Sequence, residues 1–227
     1  MNGSSGIGAR NPLTGYLAVM TVDLPKGAFE PGPTWWYWLA GRPALDLVNT
    51  RRERWRRDVD CLTSDGDVVA WLIRTGVLAE PAPAPVGLLR AARELREAID
   101  AASCACVAGA APAPEPLALI DEWLAYAGGR PQLRPGPDGL PVLGERAPSD
   151  SPRRALGMVA LDAAQLLGTP AERARIRICA SETCSARFYD RSPAGRRRWC
   201  SMELCGNVEK ARRHRARGAA GATERIT

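Results

Sequence analysis

Histidine is nearly absent. The single one among 227 residues is His214, set in a basic C-terminal stretch. The chain also lacks a Gly-rich phosphate loop and a paired-carboxylate motif, so it offers little of the usual equipment for acid–base or phosphoryl-transfer chemistry. It is expected not to be an enzyme. No apolar run approaches the roughly 20 residues a membrane-spanning helix needs. Residues 1–30 lack the basic start, long apolar run and small-residue cleavage site of a signal peptide. A cytoplasmic protein with no membrane partner is expected. Phe and Tyr are few, at two and four, and β-branched runs are rare, which leaves an Ala-rich sequence inclined to helix. No internal repeat is present.

What is there suffices for a core, since 45% of residues are hydrophobic. Residues 1–34, rich in Gly, Ser and Pro, read as a flexible leader in which Met20 is an alternative start to Met1. A helical domain is expected over residues 35–170. Trp35, Trp36, Tyr37 and Trp38 open it and should pack on the core, a ligand pocket being the alternative. Apolar spacing predicts helices over Ala44–Asp58, after a cap at Ser64 or Asp65, over Val86–Val107, over Leu117–Ala127, and over Pro152–Leu167 with Ser151 as cap. The PGPDG sequence between Leu133 and Leu140 predicts a turn between two short strands.

Residues 171–217 differ in kind. They contain Cys179, Cys184, Cys200 and Cys205 in a C-x4-C-x15-C-x4-C spacing. In a reducing compartment such pairs read as metal ligands rather than disulfides. Four thiolates on two turns close a tetrahedral site around one structural Zn²⁺ per chain, leaving no open position. An Fe–S cluster is the alternative that spacing alone leaves open. A piece this small has little core of its own and is expected to fold by binding the metal. Arg175–Cys179 and Arg187–Asp190 alternate like two strands, and Asn207 is a cap for a following helix. Residues 218–227 read as a flexible tail. Cys61, Cys104 and Cys106 read as small buried apolar residues. The predicted fold class is mainly α: a helical N-terminal domain with a short β-hairpin, plus a small zinc-bound β-hairpin/helix module at the C-terminus.

Charge is divided just as unevenly. From Ala171 to Thr227 there are 13 Arg and one Lys against six acids, a net of +8, while the remainder has 17 basic and 19 acidic residues, a net of −2. A basic module of this kind suits a polyanion, although a solvated basic surface gives the same composition. Arg196, Arg197 and Arg198 precede a zinc ligand. Lys210, Arg212, Arg213 and Arg217 share the following helix, where they could meet phosphates or bases of duplex DNA.

Cys179-x4-Cys184, RFYDRS (Arg187–Ser192), RRRWCSMELCGN (Arg196–Asn207) and the basic helix resemble the CGNR zinc finger. The naming arginine is replaced here by Val208, which puts in question any contact made through that side chain. Gly41-Arg42-Pro43-Ala44-Leu45-Asp46-Leu47-Val48-Asn49-Thr50, with Asp60-Cys61-Leu62 and WLIRTGVL (Trp71–Leu78), resembles the ABATE domain. That domain usually precedes this finger in bacterial proteins described as stress-induced transcriptional regulators. The resemblance implies DNA-binding regulation, with the N-terminal domain sensing a small-molecule effector or forming a homodimer.

Asp46, Asn49 and Thr50 would share one helix face, either to grip a ligand or to tie the helix to a neighbouring loop. Arg51, Arg52, Arg54, Arg56 and Arg57 read as a solvated helix face, with Glu53 and Arg57 as an i,i+4 pair. A transcriptional regulator is the first expectation. RNA binding is the second, weakened by few exposed aromatics beside the arginines. An enzyme or small-molecule binder whose finger contacts protein is the third. A redox switch that ejects zinc is compatible with the first.

Overall fold

Two helices of the body begin on side chains supplied by other parts of the chain. The computed structural model describes residues 36–128, 132–144 and 151–223, with side chains described over 36–128, 135–142 and 151–215. The expected leader, Trp35 and residues 224–227 lie outside them. Helix α1 (Pro43–Val48) starts with Pro at its first position, where a missing N–H is harmless. Its Ala44 N–H donates to Asp162 Oδ2 at 2.9 Å. Helix α2 (Asp65–Arg74) carries a reciprocal cap: Ser64 Oγ accepts from Asp67 N–H, and the Asp67 carboxylate accepts from Ser64 N–H. Asp65 is used elsewhere. Its carboxylate accepts from the N–H groups of Gly87 and Leu89 and so caps helix α3 (Leu88–Val107), whose own N-cap is a glycine.

Helices α4 (Pro114–Ala127) and α5 (Pro152–Gly168) pack most closely. Gly157 allows it, because a Cβ there would lie 2.7 Å from the backbone N of Ala127 and 2.8 Å from Tyr126. Between them β3 (Gln132–Pro135) and β4 (Pro141–Gly144) form the expected antiparallel hairpin. Leu45 and Leu47 of α1, Trp71 and Leu72 of α2, Leu95 and Ile99 of α3, and Leu156, Val159 and Leu166 of α5 are all wholly buried in one core. Trp36 and Trp38 join it, and Trp38 stacks on Trp71 at 5.9 Å. Cys61 is buried there, while Cys104 and Cys106 are half-buried.

The helix expected over Ala44–Asp58 is corrected: α1 stops at Val48. Thr50 Oγ1 donates to Leu47 O at 2.6 Å, and the chain then turns into β1 (Arg51–Arg52), which pairs antiparallel with β2 (Val59–Asp60). Tertiary ion pairs override the helical pattern. Arg54 meets Glu97 at 2.6 Å and Asp60 meets Arg96 at 2.8 Å, both partners lying on α3. These arginines are therefore not a solvated helix face. Glu53 and Arg57 do pair, but across a turn.

After α6 (Pro170–Arg173) come β5 (Ile176–Ile178) and β6 (Arg187–Tyr189), an antiparallel hairpin with Ile176 opposite Tyr189. The last helix, α7 (Asn207–Thr223), is preceded by one wide π-helical turn, Met202–Gly206. The cap expected at Asn207 falls instead at Ser201, whose Oγ accepts from Leu204 N–H at 3.3 Å. The helix continues through Thr223, six residues past the expected end of the module. No helix among the described residues is long and apolar enough to cross a membrane.

Candidate metal centre and nucleic-acid interface

Cys179 follows β5, Cys184 ends a tight turn before β6, Cys200 follows the arginine run, and Cys205 sits in the π-helical turn. Their four sulfurs all lie within 4.8 Å of one another. Cys184 Sγ is 3.8 Å from Cys200 Sγ, which is 3.6 Å from Cys205 Sγ. Sulfurs at the corners of a tetrahedron around zinc, with bonds of about 2.3 Å, stand about 3.8 Å apart. The donor set and its spacing therefore fit one structural zinc ion, and none of the four cysteines is in a disulfide. Electrostatics agree. Hydrogen bonds from Cys184 and the other thiols push the Cys179 thiol far down, whereas the same cluster pushes Cys200 and Cys205 far up. Four thiolates cannot coexist at these distances unless a cation neutralises them.

Short polar side chains build the frame around the sulfurs. Ala186 N–H donates to Cys184 Sγ at 3.5 Å. Asp190, wholly buried, accepts from Ser192 N–H at 2.9 Å and from Arg197 N–H at 2.8 Å. Burial opposes its charge, but these hydrogen bonds outweigh burial and hold the carboxyl below the usual range. Glu209, in the first turn of α7, accepts from Ser181 Oγ at 2.9 Å and from Glu182 N–H at 3.3 Å. It locks α7 to the turn between Cys179 and Cys184. Arg52 lies 3.5 Å from the centre of the Tyr37 ring, and burial pushes the Tyr37 hydroxyl up to about 12.

The module is also fastened to the body. Asn49 Nδ2 donates to Arg187 O and Asn49 Oδ1 accepts from Arg187 N–H, both at 2.9 Å. The side-chain amide thus pairs with β6 as a neighbouring peptide group would. Two residues on, Tyr189 N–H donates to Ala40 O at 2.8 Å. Arg187 itself is buried and pairs with Asp100 of α3 at 2.6 Å. Asp46 Oδ1 accepts from Ala40 N–H at 3.1 Å, and Thr50 Oγ1 accepts from Arg96 at 3.3 Å. Asp46 lies on α1, Asn49 caps its C-terminus and Thr50 follows it, so the three are not one helix face. Only Asn49 bonds β6 directly; Asp46 holds Ala40, whose carbonyl accepts from Tyr189, and Thr50 faces Arg96 of α3.

The seven cations singled out in the sequence divide. Arg196, Arg198, Lys210 and Arg213 are exposed. Arg198 and Arg213 lie over the ring of Trp199 at 5.2 and 5.9 Å. Arg197 turns inward, donating to Cys200 O at 2.6 Å and lying 5.1 Å from the Phe188 ring centre. Arg212 is held by Glu209 at 3.1 Å and by Glu182. Arg217 is on α7, but its side chain lies outside those described. Val208 is half-exposed at the start of α7. Sequence reasoning did not single out Asp100, Glu209 or Arg187 in these roles. The only local sign was a first-turn glutamate on a basic helix.

This architecture defines a helical protein carrying a four-cysteine zinc finger at its C-terminus. Residues 41–170 match the ABATE family, described as "Putative stress-induced transcription regulator", and residues 175–218 match the CGNR zinc finger. The first match spans more than half of the chain, which therefore belongs to the ABATE family. No curated protein matches it.

Proposed function

We propose that this protein is a DNA-binding transcriptional regulator in which the zinc module holds duplex DNA, the helical body senses an effector or dimerises, and neither part is catalytic. One observation carries the reading. Trp199 is joined directly to the zinc ligand Cys200, and its ring lies against Arg198 from one segment and Arg213 from another. The metal therefore sets the positions of cations that are far apart in sequence. A fixed array meets successive phosphates with less loss of side-chain entropy than a mobile tail. For the body, a cavity of about 610 Å³ between α3, α4 and α5, lined by Leu117, Ile120, Leu124, Leu167, Asp121 and Arg173, is of a size that takes a small effector. The location that suits this role is the cytoplasm.

Duplex-DNA affinity measured across a salt series tests the proposal. With Arg196, Arg198, Lys210 and Arg213 each neutralising one phosphate, log affinity should fall against log salt with a slope of about −4. Metal-free protein, which keeps every arginine, should bind much more weakly. Val208→Arg, restoring the family residue at an exposed site, should steepen the slope by about one. Absence of duplex binding at low salt would defeat the reading in favour of a protein-contact finger, and a preference for RNA would redirect it.

A further inference from the structure

Trp55 stands apart from the other described tryptophans. Trp36, Trp38, Trp71 and Trp123 are buried and Trp199 is half-buried, but Trp55 is 51% exposed at the tip of the β1–β2 hairpin. The tip has a defined shape. Glu53 (φ 48°) and Asp58 (φ 52°) flank it and are the only non-glycine residues with positive φ in the described chain. Such a conformation is unfavourable for side chains that carry a Cβ, and it is retained where the surroundings enforce it. Here ion pairs enforce it: Asp58 accepts from Arg51 at 2.7 Å, and Glu53 pairs with Arg57 and more loosely with Arg56 at 3.8 Å. The tip also touches the zinc module. Trp55 Nε1 donates to Glu182 O at 3.3 Å, in the turn between two zinc ligands, and the Glu182 carboxylate accepts from Arg212 of α7.

We propose that this hairpin tip is a second contact arm for duplex DNA, with the Trp55 ring packing on the deoxyribose backbone and Arg56 meeting a phosphate beyond the reach of α7. The inference rests on the DNA-binding reading above. Charge complementarity supports it: residues 51–58 hold five arginines and two acids, and the Arg56 side chain is the most exposed of those in ion pairs at the tip, at 58%. A single ring is too little to form a platform for successive unstacked bases, which favours a duplex over a single strand. The arm belongs to the helical body, so DNA would span both parts of the protein.

The experiment uses full-length zinc-loaded protein and duplexes of one and three helical turns, about 10 and about 30 base pairs. Trp55→Ala should weaken binding to the long duplex about five- to tenfold, the scale for losing burial of part of an indole. Arg56→Ala should reduce the salt slope on the long duplex by about one. Zinc content of both variants should match the parent, and Arg56→Ala should keep its melting temperature; Trp55→Ala, which gives up a bond to Glu182 O and the ring's contact with Arg187, should melt slightly lower while staying folded at the temperature of the binding assay. Arg198→Ala/Arg213→Ala should weaken both duplexes. If that control responds while Trp55→Ala and Arg56→Ala bind the long duplex like the parent, the second arm is disproved and the finger reading stands. If the parent binds neither duplex, both fall. A Trp55 effect confined to single-stranded probes overturns the duplex contact.

Discussion

In the helical body, Trp71, Leu95 and Leu156 are each wholly buried in a core built from five helices. In the zinc module the buried cluster is Phe188, Ala186 and two of the zinc ligands themselves, Cys179 and Cys200. Burial scales with size, so the first region can be held by the hydrophobic effect at about 25 cal/mol per Å², and the second cannot. The module replaces the missing core with a metal and with saturated polar contacts at Asp190 and Glu209. The two regions are nevertheless not simply strung together. Ile176 of the zinc hairpin is buried in the body's core, and Arg187 reaches the body's Asp100. The contrast is therefore between a region that folds by burial and one that folds by coordination against it.

Removing the metal should separate the two most sharply. Structural zinc contributes about 10–16 kcal/mol to small modules at neutral pH. Chelation, or Cys200→Ser, should abolish hydrogen-exchange protection from Cys179 through Gly206 while α3 and α5 keep theirs. Loss of protection throughout would mean that body and module form one cooperative unit. Arg187→Ala comes next, because it takes from the buried Asp100 carboxylate the nearer of its two arginine partners, leaving only Arg54 at 3.3 Å. A cost of about 3–5 kcal/mol is expected, seen by denaturant unfolding as loss of module docking as well as lower overall stability.

Asn49→Ala removes two bonds to the β6 backbone and leaves a buried N–H and carbonyl unpaired, for about 1–3 kcal/mol. Asn49→Asp should be at least as harmful, since it cannot donate to Arg187 O. A stable Asn49→Ala variant that loses binding of a small molecule would instead make Asn49 a ligand residue. The smallest effect concerns pH. Burial works against the Asp60 charge, but the Arg96 hydrogen bond and charge prevail and hold the carboxyl below its ordinary value. Its contribution is thus complete above the unfolded carboxylate pKa, near 4, and is lost as pH falls through the lower folded value. Melting temperature should decline on acidification below about pH 5, and Asp60→Asn should flatten that decline.

Local spacing alone determined the metal site and most of the helices. Cys179, Cys184, Cys200 and Cys205 pair along the chain at a spacing suited to four thiolates on one metal centre, and the stripes of α3 and α5 follow from a 3.6-residue period that any core-facing helix must satisfy. Turn chemistry likewise placed the β3–β4 hairpin. Tertiary structure decided the rest, because partners distant in sequence carry no local signature. The segment 49–58 has a helical pattern, yet Glu97 and Asp60–Arg96 draw it into a hairpin. Arg197 and Arg198 are adjacent and chemically identical, yet one packs against Phe188 and bonds Cys200 O while the other faces solvent. Asp46, Asn49 and Thr50 read as one helix face, to grip a ligand or to tie the helix to a neighbouring loop. In the fold Asn49 is a substitute peptide group for β6, a role that exists only once residue 187 has been brought within 2.9 Å of it.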